Sequence, residues 1–334
     1  MTDLDLKDRK ILYQLDLNCR QSNAQIGKKV GLSKQVVDYR IKRMEQEGII
    51  TGYWTAINTL KLGYYCFRIY INFLNVSSDL KNEIIQYFMN YKNIWAILTA
   101  KVPIDFDAVL WVDDMYDFNQ FWNKTLDKYG NYFEKYSVSI VSQVIVLKNT
   151  YLILDENKKS DYDRDFYITS CRGEKVKIDE TDYQLLNEIA LNARILLVEL
   201  AKKLGCSSQT ILYKINNLMK KDIIQAFRVV IDTTKLGLQN CAIEVYLKDY
   251  KKRIEIINYV KSIPYVFDII DMQVGWCDFN FEVMVPNIDK LNKITDELER
   301  KFPGSIRKTQ FWMSKVVHKE RWLPEMTKAD FKKI

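Results

Sequence analysis

Between Ser33 and Met44 the chain reads SKQVVDYRIKRM, with residue types that alternate at a helical period. Val37, Ile41 and Met44 recur as a core stripe, which leaves Lys34, Gln35, Asp38, Tyr39 and Lys42 on the outer face, flanked by Arg40 and Arg43. These groups suit contact with a nucleic acid. Lysine and arginine grip phosphates or guanine edges, glutamine reads adenine, and tyrosine donates to phosphate. Asp38 is out of keeping, because a carboxylate repels phosphate unless it accepts from a cytosine amino group. A merely solvated basic face is the competing reading of the same residues.

The segment has a second copy. At an offset of 174 positions, residues 4–63 align with 178–237 without a gap, and about a third of the pairs are identical. Asp5 matches Asp179, Asp8 matches Asp182, Arg20 matches Arg194, Ser33 matches Ser207 and Tyr39 matches Tyr213. The second outer face keeps Gln209 and Tyr213 but has Ser208 for Lys34, Lys214 for Arg40, Asn216 for Lys42 and Asn217 for Arg43. Fewer cations release fewer counterions, so the second helix should bind DNA more weakly and with less dependence on salt. A structural remnant that no longer touches DNA is the alternative.

Positioning such a face takes a small set of elements. In the first unit Asp5 can cap a helix that has Asp8 near its positive end and Ile11, Leu12 and Leu15 at helical spacing. A short helix over 24–30 buries Ile26 and Val30, Gly31 provides a left-handed stop, and Ser33 caps the third helix. Two helices joined by a tight glycine turn make a helix-turn-helix, and the alternating stretch 49–57 that follows reads as its wing. Each unit then leads into a strand–helix–strand–strand–helix–strand order. The predicted elements are 66–74, 80–91, 94–101, 106–112, 115–129 and 134–147 in the first half, and 241–247, 251–262, 266–274, 279–285, 288–302 and 306–318 in the second. The expected fold class is α+β, with two winged helix-turn-helix domains (1–60 and 178–236) alternating with two ferredoxin-like domains (61–150 and 237–323). Residues 151–177 form a linker and 324–334 a tail in this scheme.

A chain of 334 residues with 48% hydrophobic content can bury several cores, and its longest apolar runs fall well short of the roughly 20 residues of a membrane helix. Six scattered cysteines without a CxxC pair, and one histidine, His318, offer no zinc constellation; reduced thiols in a cytoplasmic protein are expected, with no metal, cofactor or membrane partner. The net charge of +7, from 50 basic and 43 acidic residues, serves nucleic acid only where the cations cluster.

The stretch LDLKDRKILYQLDLNCRQ, followed by GLSKQVVDYRIKRMEQEGIITGY, resembles the DNA-binding domain of the Lrp/AsnC, or feast/famine, transcriptional regulators. The strand–helix order after it is similar to that family's amino-acid-metabolism (RAM) domain, so the resemblance covers nearly the whole chain, twice. It implies a sequence-specific regulator whose partner is double-stranded DNA. It also implies an amino-acid effector at a Gly-x-x-Asp turn of the RAM domain, which Gly275 and Asp278 keep in the second half. In the first half that turn is Val102-Pro103-Ile104-Asp105, without the glycine, so effector binding is expected in the second half alone. Family members are homodimers; the duplication therefore implies an intramolecular pseudo-dimer, able to associate further into higher homo-oligomers. Two alternatives remain at this stage. Siroheme decarboxylases pair the same two domains and rely on histidine, of which this chain has only His318, and an architectural protein would coat DNA without sequence preference. No nucleophile–base pair, phosphate loop or metal set appears, so no catalytic residue is assigned.

Overall fold

The computed structural model describes residues 4–101, 103–154, 164–170, 172–320 and 323–324. The expected linker stretch 155–163, the tail 325–334 and Val102 lie outside these residues. No helix among them is long and apolar enough to cross a membrane.

The first unit is α1 (Leu6–Leu17), α2 (Asn23–Val30), α3 (Lys34–Gln46) and the wing β1 (Ile50–Ile57). Local chemistry fixes its boundaries. Asp5 and Asp8 form a reciprocal capping box, Ser22 forms another with Gln25, and Ser33 accepts from the Val36 amide. Gly31 stops α2 at φ +69°, a conformation costly for any residue with a Cβ. The second unit repeats the plan as α6 (Glu180–Ala190), α7 (Leu197–Leu204), α8 (Ser208–Lys220) and β7 (Ile224–Ile231). One cap is lost in it: Leu196 stands where Ser22 would be, and α7 starts without a side-chain hydrogen bond.

The two units are not separate domains side by side. β1 pairs antiparallel with β7 to make a two-stranded ribbon. Each first helix packs on the other unit's wing, α1 on β7 and α6 on β1. The Cys19 amide donates to the Phe227 carbonyl (2.8 Å), and the Ala193 amide donates to the Tyr53 carbonyl (3.1 Å), a pair of bonds related by the duplication. Ile11, Leu12 and Leu15 of α1 and Leu185, Leu186 and Ile189 of α6 are fully buried in one shared core. At roughly 1.5–3 kcal/mol for each such side chain, that core holds the units together more strongly than a flexible linker could.

The ferredoxin-like parts comprise β2 (Tyr65–Phe73), α4 (Ser78–Met89), β3 (Ile94–Lys101), β4 (Phe106–Val112), α5 (Met115–Tyr129) and β5 (Phe133–Leu147). Their second-half counterparts are β8 (Gln239–Leu247), α9 (Arg253–Ser262), β9 (Val266–Val274), β10 (Phe279–Val285), α10 (Ile288–Lys301) and β11 (Ile306–Glu320). Each sheet's helix-facing side carries its own apolar core, with Phe67, Ile69 and Phe106 in the first and Ile243, Val245 and Phe281 in the second. β3 pairs with β11 and β5 with β9, so the eight strands close into a ring ordered β2-β4-β3-β11-β8-β10-β9-β5 and back to β2. β5 and β11 are long because each pairs with its own sheet along one part and with the other half along the rest. Residues given to a linker by sequence depart from that expectation: β6 (Asp165–Ser170) adds to β5 from Gln143 to Leu147, and Tyr151 and Leu152 are buried in the shared core. Alternation is weak in such a short stretch, and its burial depends on a groove that only the paired halves create.

Candidate nucleic-acid interface

α3 presents Lys34, Gln35, Tyr39 and Lys42 to solvent, with Tyr39 66% exposed, while Val37, Ile41 and Met44 are buried. Arg40 and Arg43, expected to flank the DNA face, are tied to α1 instead. Arg40 Nη1 bonds Asp5 (2.7 Å) and Asp8 (2.9 Å), and Arg43 Nη2 bonds the other oxygen of Asp8 (2.6 Å). A carboxylate at 1% exposure needs those cations, so the arginines act as ties between the helices. Asp38 also has a place. It accepts from Asn23 Nδ2 at 3.1 Å and pairs with Lys42 at 2.9 Å one turn on, which holds its carboxyl below the usual range and the Lys42 ammonium above its own. Asp38 thereby joins the start of α2 to the middle of α3 and restrains Lys42.

The second helix differs in the way its sequence foretold, and more so. Gln209, Tyr213 (71% exposed) and Asn216 face solvent and Ser208 is half-buried. Lys214 bonds Asp179 (3.0 Å) and Asp182 (2.8 Å), the counterparts of Asp5 and Asp8, and so is a tie like Arg40. Leu212 is 45% exposed on the same face. With Lys214 engaged, the first three turns of α8 offer hydrogen-bonding and apolar groups but no unpaired cation.

Several residues that sequence reasoning passed over carry the assembly. Arg20 donates to the Ala193 carbonyl (2.7 Å) and the Ile195 carbonyl (3.2 Å) of the other unit, and Arg194 donates to the Tyr53 hydroxyl (3.1 Å). Arg228 of β7 forms a buried pair with Asp16 of α1 at 2.7 Å, across the two halves. The retained match of Arg20 with Arg194 was a visible signal; the unmatched Arg228 was not.

The turn with Gly275 and Asp278 has a structural use in both halves. Asp278 Oδ2 accepts from the Leu247 amide (2.6 Å), and Asp105 Oδ2 accepts from the equivalent Phe73 amide (2.9 Å). Gly275 lies at φ +150° with its face against β5, where an added Cβ would meet Ser139 Oγ at 2.0 Å. Ser139 Oγ accepts from the Trp276 amide (2.9 Å), so the glycine lets the two halves approach each other. His318 is hydrogen-bonded with Thr99 at 3.0 Å between β11 and β3, and burial lowers its pKa.

Two helix-turn-helix units sharing one core, each ending in a wing and mounted on a closed ring of two ferredoxin-like sheets, make a duplicated winged helix-turn-helix and ferredoxin-like architecture. The winged helix-turn-helix DNA-binding family matches residues 4–51 and 178–225. An uncharacterized HTH-type transcriptional regulator of Pyrococcus furiosus is 30% identical over 146 residues, 43% of this chain and 96% of that protein. A proline dehydrogenase transcriptional activator of Rhodobacter capsulatus is 38% identical over 90 residues, 26% of this chain; the match spans little more than half, 56%, of that relative. Among solved structures, a siroheme decarboxylase, NirDL, superimposes with a TM-score of 0.63 over 98% of this chain and 96% of its own at 12% identity, a likeness of fold. The chain belongs to the Lrp/AsnC family of winged helix-turn-helix transcriptional regulators, in tandem-duplicated form.

Proposed function

We propose that one chain acts as an internal dimer that reads an operator with two unlike half-sites. The observation that supports this is the β1–β7 ribbon with its crossed helices, which fixes α3 and α8 within one molecule while their outer faces differ. Lys34, Gln35, Tyr39 and Lys42 face one half-site. Ser208, Gln209, Tyr213 and Asn216 face the other, about one helical turn or a multiple of it away. Arg40, Arg43 and Lys214 hold the helices rather than the DNA. Most of the electrostatic affinity then resides in α3, and α8 adds mainly hydrogen bonding. Selection from random DNA followed by footprinting tests this reading. An asymmetric consensus is expected. A strict palindrome would place α3 of two chains on both half-sites and end the idea, and even coverage without preference would mark an architectural protein.

The reading involves no catalysis. His318 is engaged with Thr99 and does not line the interior cavity described below. A tetrapyrrole absorption band carried by the purified protein would reverse that assignment. An amino-acid effector at the 275–278 turn would have to share Asp278 with the Leu247 amide; calorimetric titration with amino acids, repeated on Asp278→Asn, reads that out.

A further inference from the structure

A cavity of about 390 Å³, the volume of roughly a dozen waters, lies between the wing ribbon, β6 and one mouth of the closed sheet. Its roof includes Trp54 of β1 and Arg228 of β7, which are cross-strand partners. Around it stand Trp95, Trp111, Phe267 and Tyr167, together with Arg68, Asn240, Asp268 and Glu282. Apolar walls with a few convergent polar groups are the ordinary form of a small-molecule site.

The charges do not balance. Asp107 holds Arg68 through Nε (3.0 Å) and Nη2 (2.7 Å), and Asp16 holds Arg228 at 2.7 Å. Two carboxyls remain. Asp268 and Glu282 are paired residues of β9 and β10, so their side chains stand next to each other on the cavity wall. Glu282 receives Asn240 Nδ2 at 3.3 Å and lies 3.9 Å from the already paired Arg68. Asp268 Oδ1 is buried with no hydrogen-bond partner among the described residues. Burial pushes both carboxyls up, and the neighbouring arginines, already held by other acids, offset it only in part.

The duplication makes this site lopsided. Strand pairing matches Asp268 with Ala96 and Glu282 with Val109, since Val109 faces Ala96 across β4 and β3 as Glu282 faces Asp268. Asn240 matches Cys66, and Arg228 matches Trp54. All eight line the same cavity. A homodimer would repeat each group on both walls; here one wall is acidic and the other apolar. Arg68 is the exception from the first half, and Asp107 neutralises it.

We propose that the cavity binds an apolar primary amine: an ammonium seated between Asp268 and Glu282, and an aromatic or branched alkyl group against Ala96, Val109 and Trp95. A carboxylate on the ligand is disfavoured, because both arginines are already paired and the opposite wall has nothing to receive it. An amine is therefore preferred over the amino acid with the same side chain. Binding is measured without DNA, so its failure and the failure of the operator reading are distinguishable.

The test is calorimetric titration of the full chain with 2-phenylethylamine and isopentylamine, and with phenylalanine and 3-phenylpropanoate as matched controls. At least one of the two amines should bind at least about tenfold more tightly than phenylalanine, with no binding of the phenylpropanoate. Asp268→Asn with Glu282→Gln should weaken amine binding by roughly tenfold or more. Ala96→Leu keeps every charge and fills the apolar wall, so it should block the amine while leaving the fold intact by circular dichroism. No binding of either amine, equal binding of the anion, or undiminished affinity in a folded Asp268→Asn/Glu282→Gln protein would overturn the proposal. If that double variant does not fold, the wild-type amine-to-anion comparison and Ala96→Leu still decide it.

Discussion

Replacing Asp16 by Asn removes a charge from the interior while keeping the side chain's shape. Asp16 is 1% exposed and Arg228 7%, at 2.7 Å, and the second carboxylate oxygen of Asp16 has no hydrogen-bond partner among the described residues, so the arginine supplies most of the compensation, with the Asn149 backbone the smaller part. Removing one member of such a pair leaves a buried cation and costs about 3–5 kcal/mol. Arg228 also lies over the rings of Trp54 (5.7 Å) and Phe166 (5.4 Å), which soften the loss and favour the lower end. Hydrogen exchange is the suitable assay, because a chain of several coupled units has no single unfolding free energy. Amides of α1 should exchange about two orders of magnitude faster for a loss of about 3 kcal/mol. α6 is the internal control: Ala190 stands there in the place of Asp16, and its amides should change far less. Asp16→Leu with Arg228→Met should restore protection to within roughly 1 kcal/mol, since apolar groups of similar size often replace a buried pair without loss. Acceleration below about tenfold in α1, or equal acceleration in α6, would refute the assignment of this pair as the tie between the first DNA-binding unit and the second wing.

Lys34→Ala with Lys42→Ala should weaken DNA binding and lower the salt slope by about one to two units, more than Ser208→Ala with Asn216→Ala does, measured by binding across a salt series. Asp38→Asn frees Lys42 and removes a negative charge from the face, so DNA affinity should rise in the same assay. Gly275→Ala drives a Cβ into Ser139 and should lower the hydrogen-exchange protection of β5 and β9 by more than about 2 kcal/mol, whereas Gly205→Ala, with open space around it, should cost its own unit less despite its φ of +64°. Asp268 and Glu282 have raised folded-state pKa values, from burial first. The native state therefore keeps their protons where the unfolded state has lost them, and stability falls as pH rises from about 4 toward those raised values. Asp268→Asn with Glu282→Gln should flatten that part of the stability–pH profile, as read from thermal midpoints at about pH 5 and 7.

The helix-turn-helix units were legible because their signals are local. Ser33, Gly31 and the Val37–Ile41–Met44 stripe each act within a few residues, and the repeat itself doubled the signal. The tethering of Arg40, Arg43 and Lys214 was recoverable in principle: each half has two aspartates three apart and a basic residue at the same distance beyond the first, Asp5, Asp8 and Arg40 against Asp179, Asp182 and Lys214. A helical wheel shows which face a residue occupies but not what a neighbouring helix brings to its margin. β6 and the ring closure were hidden for a different reason. A strand's partner is fixed by tertiary register, and Gln143 with Ser170 or Lys101 with Met313 share no local pattern. Asp268 and Glu282 stood out as acids within apolar strands, yet their shared position is visible only after β9 and β10 are aligned.

Ring closure also sets an order of events in synthesis. When the first ferredoxin-like sheet is complete, the edges of β3 and β5 are still open, because β11 and β9 belong to the second half. A nascent chain therefore displays two unsatisfied hydrogen-bonding edges and one apolar cavity wall until Val266–Val274 can close β5, and the β3 edge until Ile306–Glu320 has emerged, the stage at which edge-to-edge aggregation is most dangerous. Pairing at such sequence separation is slow to find. What the duplication provides in exchange is closure within one molecule. Two separate subunits would close the same edges only as fast as they meet, at a rate set by their abundance, whereas here assembly is first-order and persists at any dilution.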